Sequence, residues 1–440
     1  MKRTLLFALC ACLLLLSACA KRQPATQSAE LPKAAQDAAE TAEAAEAAEE
    51  ALPVTRLTLG TVDFDTEKDR LRGLIQLYNS SGAPVSIEII NYADGAESRA
   101  DAVTRMTTEL MAGNVPDLLD CSDLSGAQYA GYAKSGVLAP LEELSSDDIL
   151  SGVMEPCRVD GTLYSVIGAF MLDPLFGPAA RLGDSLQTSV EDVLSGAVPD
   201  VRFVWNGRDL LEVYCRHAAE QFLDYDTQTA SFESEHFLRI LTACAAVTPS
   251  ELGPDSIMQQ PMACVGDYSH MQNFWYEQTG SAFRVLALSE DGGTAYQPIL
   301  QLGVCAGSAQ QDAAREALRA MLGSSFQQQI TTAFPVSRSV LCAQIQTEIE
   351  AQQAYQPTTA GEDGRIPTAD AGSQAFLFDE AAAEDLMHVL EHVNCRSCGN
   401  QEILSIILDE ADTFFSGQKT AQEAARVMDR RAALFLAEAG

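Results

Sequence analysis

Residues 56 to 123 switch repeatedly between two hydrophobic periods, and that switching restricts the folds open to the chain. RLTLGTVD (56–63) reads as a strand, and EKDRLRGLIQLYN (67–79) sets Leu71, Leu74, Ile75 and Tyr78 at the i, i+3, i+4, i+7 spacing of a one-faced helix. VSIEIINY (85–92) alternates with period two, SRADAVTRMTTELMAG (98–113) returns to helical spacing, and VPDLLDCSD (115–123) reads as a third strand. Strand, helix, strand, helix, strand predicts a parallel sheet covered on both faces. Ligands of such sheets bind beyond the carboxyl ends of the strands. Asp63 and Phe64 fall at one such end, Ser122 and Asp123 at another.

The chain from residue 54 to residue 440 is longer than one core comfortably supports, so two lobes are expected. What precedes it is of a different kind. Lys2 and Arg3 open a stretch whose apolar run, Leu5 to Leu16, has the length of a signal-peptide core and is too short to cross a bilayer. Residues 1–18 are therefore read as a signal peptide. Leu16-Ser17-Ala18-Cys19 has the pattern of a bacterial lipobox. Cys19 is then the lipidated N-terminus of the mature protein, at the extracytoplasmic face of the cell membrane. Residues 19–53 form an Ala/Glu-rich tether in which Asp37, Glu40, Glu43, Glu46 and Glu49 recur every third residue and so gather on no single helix face.

With 28 basic residues against 62 acidic ones and a net charge of -34, the chain lacks the Lys/Arg clusters that phosphate neutralisation demands, which excludes nucleic acid as a partner. Of 12 cysteines, Cys10 and Cys12 leave with the signal and Cys19 is lipidated, and the odd remainder does not make a disulfide framework. Cys121, Cys264 and Cys305 sit in apolar runs and read as small core residues.

One segment points toward metal chemistry. HVLEHVNCRSC (388–398) contains H-x-x-E-H, the inverted zinc-protease pattern, followed by C-x-x-C. Residues 376–395 read as one helix, with His388 and His392 on a common face and Glu391 in the place of a general base. A protease of that kind needs a further Glu ligand downstream, where this chain offers only a helical pair. Zinc held by His388, His392, Cys395 and Cys398, and a local Cys395–Cys398 disulfide, both fit the spacing. Solvated histidines beside a turn is the reading adopted. There is no G-x-S-x-G elbow, P-loop or dinucleotide glycine pattern, so neither an enzyme nor a cofactor is expected, although paired carboxylates leave a hydrolase as a residual alternative.

Five segments carry a family resemblance. GNVPDLLDCSDLSGAQYAGYAKSGVLAPLEEL (113–144), VDGTLYSVIGAFM (159–171), FLDYDTQTASFESEHFLRILTAC (222–244), ALRAMLGSSFQQQITTAFPVSRSVL (317–341) and QEILSIILDEADTFFSGQKTAQEAARVMDRRAALFLAE (401–438) occur in this order. Together they resemble the bacterial extracellular solute-binding proteins of family 1, the sugar-receptor lipoproteins of ABC importers, over residues 55 to 440. The resemblance implies an α/β, two-lobed periplasmic-binding-protein fold with hinge strands near Val166 and Leu302 and a central ligand cleft. Lobe 1 would take residues 54–165 and 303–336, and lobe 2 residues 166–302 and 337–440.

It also implies a monomer that captures a solute, a sugar or oligosaccharide, by lobe closure and delivers it to the permease subunits of an ABC importer. Asp63, Phe64, Ser122 and Asp123 would form the first wall; Phe170, Tyr268 and Trp275 would supply the crossing and the second. The family's Trp-Thr helix start is missing between Leu172 and Val201, and Trp205 and Trp275 are the only tryptophans, which is thin for sugar stacking. The alternative is a surface lipoprotein of the same form with a peptide, metal or protein as cargo.

Overall fold

The apolar alternation of β1 (Thr55–Thr61) buries Leu57 and Leu59 on one side of a sheet. β1 pairs in parallel with β2 (Val85–Asn91) along its whole length and with β3 (Leu118–Asp120) on its other edge. α1 (Asp69–Ser80) buries the expected Leu71, Leu74, Ile75 and Tyr78 in the same core as Leu57, Leu59 and Leu118. α2 (Arg99–Met111), whose N-cap Ser98 accepts the Asp101 N–H, packs Ala102, Met106 and Leu110 with Leu119 and Cys121 on the opposite face. α3 (Gly126–Lys134) follows β3 and starts at a Ser125/Gln128 capping box. The structure is a computed structural model, and it describes residues 55–64, 68–83, 85–288, 293–354, 378–397 and 401–439.

After a short ribbon whose Asp160-Gly161 turn takes φ of 50° and 80°, β4 (Ser165–Leu172) joins this sheet. The chain then leaves through Asp173-Pro174 to a second, four-stranded sheet. That sheet consists of β5 (Leu175–Pro178), β6 (Arg202–Phe203), β7 (Ser256–Gln259) and β8 (Phe283–Val285), in the order β8-β5-β7-β6. Between these strands run α4 (Gly207–Ala218), α5 (Glu235–Ala245) and α6 (Val265–Thr279).

β9 (Thr294–Val304) brings the chain back to the first sheet, and α7 (Gln311–Leu322), β10 (Phe334–Pro335), α8 (Arg338–Ala354), α9 (Glu380–Glu391) and β11 (Val393–Arg396) follow. The completed seven-stranded sheet runs β10-β4-β9-β3-β1-β2, with β11 also paired to β9. α10 (Gln401–Phe415) and α11 (Ala421–Ala439) close the chain, and α10 packs Ile403 and Ile407 against Leu210 and Tyr214 of α4 in the second core.

Two expectations change. Val166 and Leu302 face each other inside the first sheet, in antiparallel register, so the passage between sheets comes later, at Asp173-Pro174 and between Val285 and Thr294. Lobe boundaries at 165/166 and 302/303 therefore cut through paired strands. The helix expected over 376–395 ends at Glu391, and Val393–Arg396 is a strand parallel to β9. Tertiary pairing overrides local helical spacing here. Gly152 makes room for that strand, since a Cβ at this position would lie 1.9 Å from the Val393 carbonyl oxygen.

Cys121, Cys157, Cys244 and Cys305 are buried. Burial pushes the Cys157 thiol up to about 11 and those of Cys244 and Cys305 to about 12, so these groups pack as small apolar residues. Cys264 is half-buried rather than fully enclosed. Among the described residues no helix is long and apolar enough to cross a membrane. Cys19, the signal sequence and the tether lie outside the described residues.

Candidate ligand-binding site

β4 lies along one side of β9 and leaves the other side to two short partners. β3 occupies it at Leu302–Val304 and β11 at Thr294–Tyr296. Gln297, Pro298 and Ile299 lie between these partners, and Pro298, which has no N–H to pair, suits the gap. They floor a cavity of about 820 Å³. Ser122 and Asp123, just past β3, and the first residues of α1 and α2 form one wall; Ser397, Gln401 and Glu402 with Phe435 of α11 form the other. The cavity thus opens at the carboxyl end of β3, between helices of the first sheet and helices of the second core.

A buried charge cluster organises the first wall. Lys68, at the N-cap of α1, places its ammonium 2.9 Å from Asp120 Oδ2 and 2.8 Å from Asp123 Oδ2. Only 9% of the Lys68 side chain and 2% of the Asp120 side chain is exposed, so this is an interior pair and not a surface bridge. Burial pulls against the Lys68 ammonium, but Asp120 and Asp123 outweigh it and hold the group well above the ordinary lysine range. Burial likewise opposes the Asp120 carboxylate, and Lys68 together with the Ser122 N–H holds it below its ordinary value. Thr61 Oγ1 donates to the same carboxylate at 2.7 Å.

Asp120's depressed value means that its contribution to stability is complete above the unfolded value of 3.8 and is lost as pH falls through the lower folded value. Lys68's raised value means that its contribution is complete below 10.5 and is lost only under strongly alkaline conditions. The guanidinium chloride midpoint is expected to fall more steeply below about pH 4 in the native sequence than in an Asp120→Asn variant. Equal slopes would assign the acid sensitivity to other carboxylates.

The residues expected at the site divide into two groups. Ser122 and Asp123 line the cavity, and Ser122 Oγ also accepts the Gln301 N–H at 3.2 Å. Phe64 is not among the lining residues, and its ring centroid lies 6.0 Å from the guanidinium of the cavity-lining Arg99. Asp63 is spent on local structure: Oδ1 accepts the Lys68 N–H at 3.0 Å, and Oδ2 accepts from the Arg72 guanidinium at 2.7 Å.

Phe170, Tyr268 and Trp275 are fully buried and do not line the cavity. Phe170 stacks on Phe334; Tyr268 donates to Asp385 at 2.9 Å and packs on Phe283; Trp275 meets Phe176 edge-on. Aromatic content alone does not separate a stacking platform from a core residue, because both roles bury ring surface.

Lys68, Arg70, Arg99, Gln297, Ser397, Gln401, Glu402 and Phe435 also line the cavity and were not among the expected residues. One signal was available: in so acidic a chain, a lysine just after a strand end is conspicuous. A second cavity of about 800 Å³ lies on the far side of α3, where Lys134 and Asp226 pair at 2.9 Å, but it lacks the buried charge cluster.

The 388–398 segment also resolves into parts. The His388 and His392 ring centroids lie 4.4 Å apart, His392 Nδ1 is bonded to the His388 carbonyl oxygen at 2.7 Å, and Glu391 pairs with Arg338. Among the described residues no three His, Cys, Asp or Glu side chains gather as a metal site, and Cys398 lies outside the described residues.

No family model matches the sequence, and no curated protein matches it. Solved structures do match. The sugar-binding protein MalE from Xanthomonas citri superposes with a TM-score of 0.56 at 16% identity, over 87% of this chain and 98% of its own. An extracellular solute-binding protein family 1 structure from Alicyclobacillus acidocaldarius gives 0.53 at 15% identity, over 88% and 99%. A structure described as a de novo designed esterase gives 0.51 at 12% identity, over 88% and 99%. At these identities the likeness speaks for the fold, which is the two-lobed α/β fold of the solute-binding proteins.

Proposed function

We propose that the chain is an extracytoplasmic solute-binding protein that takes up a sugar or oligosaccharide in the cavity over Gln297–Ile299 and hands it to the permease subunits of an ABC importer. It is proposed to work as a monomer held to the membrane by lipid on Cys19. The observation that carries this reading is the place of the cavity. It lies at the carboxyl end of β3, with one wall on helices of the first sheet and the other on the last two helices. A ligand touching both walls binds a closed arrangement better than an open one and so draws the lobes together. The chain segment at Asp173-Pro174 would carry that motion. Asp123, Glu402 and Gln401 are suited to hydroxyl pairs, and Phe435, the one aromatic among the described lining residues, to a pyranose face. The solute-binding and sugar-binding proteins of the same fold support the assignment.

A second reading has its own support. The lining is rich in charge, with Lys68, Asp69, Arg70, Arg99, Asp123 and Glu402, and poor in rings, which suits a charged cargo such as a peptide. Thermal unfolding of the full chain against mono- and oligosaccharides, short peptides, zinc and EDTA separates the two. A sugar at a hundred times its Kd is expected to add about 2.7 kcal/mol. Stabilisation by peptides alone would replace the sugar assignment, and stabilisation by zinc with loss in EDTA would return attention to His388 and His392.

A further inference from the structure

The turn that carries Ser122 and Asp123 is gripped by a side chain from 275 residues away in sequence. Arg396, on β11, donates through Nη2 to the carbonyl oxygens of Cys121 at 2.9 Å and Ser122 at 3.0 Å, while Nη1 reaches the Leu124 carbonyl oxygen at 3.4 Å. Other bonds tie the start of the turn, Cys121 N–H to the Gln301 carbonyl at 2.8 Å and Ser122 N–H to Asp120 Oδ1 at 3.0 Å, while across it runs a long Leu124 N–H to Cys121 carbonyl bond at 3.4 Å. Among the described residues no carboxylate pairs with Arg396, and its Nε is buried without a hydrogen-bond partner. In a chain with more than twice as many acidic as basic residues, this half-buried guanidinium spends its contacts on carbonyl dipoles.

The next residue, Ser397, lines the opposite wall and is itself fixed by donating its N–H to the Tyr296 carbonyl at 2.8 Å. We propose that Arg396 is the positioning residue of the site: it holds the Ser122–Leu124 turn beside β11 and so presents Ser122 and Asp123 to the cavity. The planar fork is what the task requires, because it addresses several carbonyls in fixed directions, whereas an ammonium on a flexible stem serves one or two. The functional weight of the 388–398 segment then falls on its arginine and not on its histidines or cysteines. The grip is independent of which ligand binds; its meaning for the site rests on the binding reading above.

The test is amide hydrogen exchange by mass spectrometry on the full chain, comparing the native sequence with Arg396→Lys and Arg396→Met, alongside guanidinium chloride unfolding of each. Exchange in peptides spanning residues 119–128 is expected to rise about tenfold in Arg396→Met and by less in Arg396→Lys, with β5 and β7 peptides unchanged. Native-like exchange at 119–128 in both variants overturns the proposal. So does a uniform rise in both sheets that tracks a loss of global stability, which would make Arg396 a general structural contact. If Arg396→Met does not fold, Arg396→Lys and Arg396→Gln decide on the same readout. Because no ligand enters the measurement, it stands whether or not a sugar is ever found to bind.

Discussion

Lys68→Met is expected to destabilise the protein by about 3–5 kcal/mol, the cost of leaving a buried carboxylate without its countercharge. Asp120 would keep the Thr61 hydroxyl at 2.7 Å and the Ser122 N–H at 3.0 Å, but would lose the ammonium that offsets its burial. Asp123, whose side chain is 40% exposed, suffers far less from the same loss. The deficit should shrink as pH falls, because a buried carboxyl without a countercharge gains by taking up a proton. Adding Asp120→Asn to Lys68→Met should recover part of the loss, so that the double variant is more stable than the sum of the single changes. Denaturant midpoints of the three variants check this. Strict additivity, or a Lys68→Met loss within experimental error, would show that the cluster is solvated in solution.

Trp275→Ala is expected to cost about 3–5 kcal/mol through the cavity it leaves in the core. Trp275 is fully buried and meets Phe176 with ring centroids 5.5 Å apart, and Phe176 lies in turn 4.5 Å from Phe283. Its indole N–H has no hydrogen-bond partner among the described residues. Trp275→Phe should therefore cost much less, since it keeps a ring and removes an N–H that pairs with nothing. Trp205 remains in both variants as a fluorescent reporter of unfolding. If Trp275→Ala left stability intact and abolished ligand binding, the ring would belong to the cleft after all.

The same residue illustrates how far a sequence carries an account of this kind. The strand–helix alternation from β1 to β3 was legible because each element declares itself within a few residues. The stripe Leu71, Leu74, Ile75, Tyr78 is the buried face of α1, and Ser122 and Asp123 lie at a strand end and line the cavity. What was not legible depends on pairings distant in sequence. Val393–Arg396 follows a helix and continues its apolar spacing, yet it finds an open edge on β9, about a hundred residues upstream, and becomes a strand. The second wall is set by the same distant pairing, since Ser397, Gln401 and Glu402 reach the cavity only once β11 is in place. Phe170, Tyr268 and Trp275 have the chemistry of a sugar platform, but their neighbours Phe334, Phe283 and Phe176 enclose them in the core. Asp63 showed a strand-end carboxylate, and only the structure shows it committed to Lys68 and Arg72.

The most direct test of the central claim is calorimetric titration of the full chain with a panel of mono- and oligosaccharides, repeated on Asp123→Ala and Glu402→Ala, one residue from each wall. At least one sugar is expected to bind the native protein and to bind each variant about 10- to 100-fold more weakly, the effect of losing a charged hydrogen-bonding group. Absence of binding by any sugar of the panel, or binding that both substitutions leave unchanged, would contradict it.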